Sequence, residues 1–227
     1  MATDGLAQYV AAQVPDAQEL EIAIYPYTQG SSAGADKTRL EVLSLGGRVR
    51  RNGQLVKAAV GSGAKRMQFP HREQTILPIP AGDLEAAFYN TGIPNITVYG
   101  VFSLPPLLAR TALPLIQRLL ANPNIRRLLE HRLSARPGIN GKASPIAESS
   151  QTPRSYVWVR AHNQRGKTVE VWQETGEGYA FTSAAAVRAV EQVLERRPCG
   201  ALTPSQAFGA DFALSIEGVK RDVAAKG

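Results

Sequence analysis

A glycine-rich turn between a strand and a helix lets backbone amides and the helix N-terminus receive a pyrophosphate, so such turns come first among residues able to do chemistry. Gly176-Glu177-Gly178-Tyr179-Ala180-Phe181 is the nearest candidate in the 227 residues, and it misses the dinucleotide pattern in three ways. Phe181 stands at the third glycine position, Glu177 brings negative charge into the cradle, and no strand follows promptly with an acid for a ribose. Gly61-Ser62-Gly63 falls between two expected hairpins and opens no helix. No cofactor is therefore expected to be bound by this chain alone. His71, His131, His162 and Cys199 share no metal-ligand spacing, so no metal site is expected either. Neither a Gly-x-Ser-x-Gly elbow nor a Walker loop occurs, and spacing assigns no catalytic residue.

Two groups of polar residues are candidates for binding. The turn from Asn90 to Asn95 couples a helix end to a strand start, a place where clefts form, and Tyr89, Asn90, Thr91 and Asn95 supply polar groups there. Turn chemistry and capping account for the same residues equally simply. Arg48, Arg50 and Arg51 flank a hairpin and suit a substrate carboxylate, or serve solubility alone.

The net charge of +7 is concentrated in one place. From Leu104 to Lys142 there are seven cations (Arg110, Arg118, Arg126, Arg127, Arg132, Arg136 and Lys142) against the single acid Glu130. The same stretch is rich in leucine, and its apolar face is wide enough for core packing, a dimer surface or an anionic membrane surface. Nucleic acid is disfavoured, because no aromatic residue stands between the arginines to stack on bases.

The elements that must position these residues are mostly legible. A helix is expected from Ala2, capped by Thr3 or Asp4 and stopped by Pro15; Glu19 to Tyr27 alternates as a strand. A short helix through Leu40 and Leu43 precedes Gly46-Gly47. Asn52-Gly53 predicts a two-residue hairpin, and a second hairpin spans Lys65 to Ile79, with Pro78 and Pro80 suggesting an edge strand. Asp83 caps a helix that Gly92 ends, followed by a strand from Asn95 to Phe102. Pro105-Pro106 opens a helix that Pro114 should kink, and Pro123 opens another. Residues 134–154 read as a long loop. A third hairpin spans Tyr156 to Glu174, a helix is capped by Thr182 or Ser183, and Phe212 to Ile216 forms a last strand. The fold class is α+β, a mixed, mostly antiparallel sheet of about six to eight strands. Residues 1–227 are read as one domain, and the absence of a signal peptide or an apolar run of spanning length favours the cytoplasm.

The run from Gly82 to Ile96 (GDLEAAFYNTGIPNI) resembles a motif of the bacterial saccharopine-dehydrogenase-like oxidoreductases, a group that includes trans-acting enoyl reductases. Gly46 to Val56, Gly176 to Tyr179 with Thr182, and Thr203 to Phe212 are similar to further blocks of that family, in the same order. Met1-Ala2-Thr3-Asp4 resembles the segment that follows its last Rossmann strand. Ala81 departs from the pattern, which has Trp there; if that Trp lines the cleft, substrate preference differs. The resemblance covers only the family's C-terminal domain, which closes the cleft over NAD(P) and substrate and often makes the dimer. It implies a substrate-binding and dimerisation domain, incomplete without a separately supplied Rossmann partner, with NAD(P) belonging to the complete enzyme. The alternative is a non-catalytic lipid- or protein-binding module that uses the basic apolar segment 104–136, with peripheral membrane contact.

Overall fold

The computed structural model describes residues 1–26, 46–120, 122–125, 127–128 and 154–223. Its centre is β1 (Ala17–Tyr25), whose alternation buries Leu20 and Ile22 on one face and Ala23 on the other. On one side β1 runs parallel to β6 (Asn95–Phe102), with Ile22 opposite Val98. On the other it runs antiparallel to β7 (Ser155–Asn163), with Ile22 opposite Val159. Beyond β7 follow β8 (Thr168–Thr175) and β9 (Lys220–Val223), both antiparallel.

The far edge of β6 is shared by two hairpins. β2 (Gly47–Arg51) meets it through the pair Arg50–Ile96 and carries β3 (Gln54–Ala58) outside it. Farther along, β5 (Glu73–Pro78) pairs Thr75 to Pro78 with Phe102 to Tyr99 and carries β4 (Lys65–Gln68). The described residues thus hold one nine-stranded sheet in which β1–β6 is the parallel pair, so the expected α+β class and mostly antiparallel sheet hold, with more strands than expected.

Helices α1 (Ala2–Ala12) and α2 (Asp83–Thr91) cover one face. Leu6, Val10, Leu84 and Ala87 pack there on Leu20, Ile22, Ile96, Val98 and Val159. Burying a side chain of this size contributes about 1.5–3 kcal/mol, so this layer dominates stability. The opposite face carries Ala23, Tyr25, Tyr99, Tyr156, Trp158 and Trp172, packed among themselves and with Ile76 and with Phe69 from the β4–β5 turn. No helix belongs to that cluster among the described residues.

Helix α3 (Pro106–Leu120) seats Ala109 and Leu113 against Val60, Ala64 and Leu77. It passes through Pro114 as helix, although proline withdraws the donor for the Arg110 carbonyl. Helix α4 (Gly178–Arg196) packs Ala185 on Phe212 and Ile216, beside the short α5 (Pro204–Phe208).

Several expectations are corrected. Thr3 and Asp4 do not cap α1: Thr3 donates to Asp83, and Asp4 serves α5 instead. Asp83 makes no cap bond at α2, whereas Gly92 ends that helix with φ 67° as expected. β5 is not an edge strand, since β4 and β6 flank it; Pro78 is tolerated as its last residue. α4 begins four to five residues before Thr182 and Ser183, because Glu177 Oε2 accepts from the Ala180 amide and starts it. Phe212–Ser215 is a 3-10 turn; the adjacent Phe212 and Ala213 are both buried while Leu214 is exposed, a pattern that the strict alternation of a half-buried strand does not give. The final strand is β9 instead. The expected helix through Leu40 and Leu43, the loop 134–153 and most of the helix from Pro123 lie outside the described residues.

Candidate functional site

The residues singled out beforehand fall into separate places. Tyr89 is largely exposed on α2. Asn90, at the end of α2, is tied into a polar knot. Its amide nitrogen donates to Asp4 and to Ser205 Oγ at 2.8 Å, and its carbonyl oxygen accepts from Thr203 Oγ1 at 2.9 Å. Asp4 Oδ2 in turn accepts from the Ser205 amide at 2.7 Å, so Asp4 and Thr203 together cap α5. Thr91 Oγ1 donates to the Ala87 carbonyl and accepts from the Ile93 amide, closing α2. Asn95 accepts from the Asn52 amide and donates to the Gln18 carbonyl, holding the β2–β3 turn to β6 and β1.

The arginines divide by alternation. Arg50, buried, donates to the carbonyls of Leu84 and Gly53, pairs with Glu85 at 2.6 Å and lies 4.0 Å from the Phe88 ring centre. Arg51 points to the other face, where its guanidinium donates to Thr97 Oγ1 at 3.2 Å. Arg48 lies two residues before Arg50 on β2, half-buried, with Lys57 opposite.

The face opposite α1 and α2 gathers chemistry that the spacing did not reveal. Glu21, in mid-strand on β1, is mostly buried and accepts from Lys65 Nζ at 2.7 Å, from Tyr99 Oη at 2.8 Å and from Arg160. Thr97 and Arg160 are its cross-strand neighbours, so Arg51 completes the row through Thr97. Lys65 stands over the Tyr99 ring at 4.5 Å and Arg160 over the Trp158 ring at 5.5 Å. One register step away, His162 approaches Glu19 at 3.8 Å. The buried Trp158 indole N–H has no hydrogen-bond partner among the described residues.

At the aromatic end, the β4–β5 turn arches over the sheet, with His71 Nε2 2.6 Å from Tyr156 Oη and Arg72 donating to Tyr25 Oη at 2.8 Å. The signal that a sequence reading could have used is Glu21 itself, an acid alternating with Leu20 and Ile22 inside a strand. Its partners come from three other strands and leave no spacing to find.

The electrostatics follow from this geometry. Burial works to raise the Glu21 pKa, but hydrogen bonds from Lys65 and Tyr99 and the charges of Lys65 and Arg160 outweigh it, so the carboxyl sits below its ordinary 4.5. Burial and the Glu21 charge push the Tyr99 phenol well above its ordinary value, which keeps it protonated as a donor and unsuited to act as a base. Two cations, Lys65 and Arg160, thus hold one carboxylate, with Arg51 beyond Thr97 in the same row. Lys65 and Arg160 keep 38% and 41% of their side-chain surface open to solvent. Clefts of about 180 Å³ beside Arg66 and Phe102, and of about 410 Å³ beside Val187 and Arg188, do not include this row. No group of three or more metal-ligating side chains occurs among the described residues.

No protein-family model matches the sequence. No curated protein matches it either. Among solved structures, the chain is similar to apo saccharopine dehydrogenase (L-Glu forming) from Saccharomyces cerevisiae, at 12% identity and a TM-score of 0.46, over 91% of this chain and 66% of that one. The chain therefore spans slightly less than two thirds of that protein's length.

Proposed function

We propose that this chain is the substrate-side domain of a saccharopine-dehydrogenase-like, NAD(P)-linked oxidoreductase, and that the row Arg51, Lys65, Arg160 and Glu21 receives an anionic group of the substrate. A separately supplied dinucleotide-binding domain would complete it. The observation that carries this reading is the convergence of the family-like blocks. Asp4, the hairpin at Asn52-Gly53, the stretch from Asp83 to Asn95, and Thr203 with Ser205 are far apart in the chain. They are nevertheless hydrogen-bonded into one assembly around α2. Blocks that resemble a family one by one would have no reason to meet unless they build one shared substructure.

The cap of α4 supports the same reading. The glycine-flanked turn from β8 into α4 aims the Glu177 carboxylate at its own helix N-terminus, where a pyrophosphate would need those amides. The dimer implied by the resemblance belongs to the proposal too, with Val187, Val190 and Leu194 exposed along α4 as apolar surface for it. Likeness to trans-acting enoyl reductases makes reduction of an enoyl group the first reaction to assay.

The test is calorimetric titration of NADPH into the purified chain, alone and mixed with a saccharopine-dehydrogenase-type dinucleotide-binding domain. The chain alone is expected to give no binding heat, and in the mixture it should change the partner's NADPH affinity. Tight, stoichiometric uptake by the chain alone would overturn the reading.

A further inference from the structure

Helix α3 buries only a narrow strip, Ala109, Leu113 and Leu120. A second strip, Leu108, Ala112, Leu115 and Leu119, recurs at steps of four, three and four residues, and so forms one continuous helical stripe. It faces solvent: Leu115 is 59% exposed and Leu119 58%. Leu107 at 73%, and Ile125 and Leu128 just beyond the helix, extend the apolar surface. A stripe of leucines left in water is unusual on a protein surface and marks an interaction site.

The charges beside it choose the occupant. Arg118 and Arg127 are exposed and form no ion pair among the described residues, and the chain from Leu104 to Lys142 contains the single acid Glu130 among seven cations. A second copy docked by this stripe would bring the arginines of both copies together, since a two-fold interface sets the same patch against itself. A protein partner's anchors are typically aromatic as well as arginine, and no Phe, Trp or Tyr lies between Leu104 and Lys142. Leucines along one face with arginines beside them are the pattern of a helix lying in a headgroup layer. No helix among the described residues is long and apolar enough to cross a membrane, so contact through α3 would be peripheral.

We infer that α3 docks the protein on an anionic lipid surface, with Leu108, Leu115 and Leu119 entering the acyl boundary and Arg118 and Arg127 meeting headgroup phosphates. This inference stands independently of the oxidoreductase reading.

The experiment is flotation of the full chain with phosphatidylcholine vesicles containing none or about a third phosphatidylglycerol, in low and moderate salt. The chain should float with the anionic vesicles only. L115S/L119S and R118E/R127E should each lower the bound fraction at least about tenfold, given roughly fivefold per basic residue at such a surface. R165E/K167E, which reverses two exposed charges elsewhere, should float like the parent and thereby excludes attraction by net charge alone. Circular dichroism of each variant keeps loss of binding distinct from loss of fold. Absence of flotation at every anionic content would overturn the inference. So would equal loss in R165E/K167E, or L115S/L119S abolishing a dimer in sedimentation while the parent never floats.

Discussion

Glu21 shows what one side chain contributes when three strands and a hairpin converge on it. Its carboxylate is stabilised by Lys65, Tyr99 and Arg160, two of which remain more than a third exposed, so solvent screening limits the gain. Glu21→Gln is expected to cost about 1 kcal/mol at neutral pH, read from urea midpoints. The sign of its pH dependence follows from the lowered pKa. A carboxyl depressed on folding stabilises above its unfolded pKa, and that stabilisation is lost as pH falls through the folded value. The gap between parent and variant should therefore close below about 4.5 and stay constant from pH 6 to 8. Asn90 poses the opposite question, because a helix-end asparagine reads equally as ligand or as mortar. In the fold it joins Asp4, Thr203 and Ser205, so Asn90→Ala should destabilise by about 1–3 kcal/mol through stranded buried groups. An unchanged urea midpoint would return Asn90 to the substrate side. Neither role was legible in the sequence, since both depend on partners more than forty residues away.

Elements with local signatures were read correctly, and those defined by distant partners were not. The β2–β3 hairpin follows from Asn52-Gly53, whose positive φ values of 49° and 77° are what a type I′ turn requires. α2 ends at Gly92 and β6 spans Asn95–Phe102 as their residues indicate. The start of α4 was misplaced because Glu177, not a hydroxyl residue, caps it, and β9 was missed because its four residues carry Lys220, Arg221 and Asp222 and bear no apolar alternation. α3 rests on a contact that no periodicity discloses. Gly61 has φ 78°, and a Cβ there would lie 2.1 Å from the Ala109 carbonyl oxygen. Gly61→Ala must therefore push α3 away, in addition to straining its own backbone, and should cost about 2 kcal/mol or more. The predicted signature is faster amide exchange in Pro106–Leu120 with α1 and α2 unaltered.

At the scale of the whole molecule, the sheet order is what sequence could not supply. β1 and β6 are neighbours although some seventy residues separate them, and the intervening hairpins both return to the outer edge of β6. Nothing local marks that arrangement, whereas the burial of Leu20, Ile22, Ile96 and Val98 explains it once seen. The consequence is uneven attachment. β1 is flanked along its length by β6 and β7, but the β2–β3 hairpin holds to β6 by the single pair Arg50–Ile96. It is held further by the Arg50 side chain, bonded to Leu84, Gly53 and Glu85 and stacked on Phe88, by Arg51 donating to Thr97, and by the bonds from Asn52 to Asn95 and Gly53 to Pro94. Arg50→Ala removes charge-assisted bonds worth about 2 kcal/mol. That should raise opening of the hairpin roughly 30-fold while the centre of the sheet stays closed. Hydrogen exchange followed by mass spectrometry separates the cases: amides of 47–58 lose protection, and those of Ile22, Val98 and Val159 keep theirs. A uniform loss across all strands would mean instead that the hairpin and the central sheet unfold as one unit, and that Arg50 stabilises the fold globally.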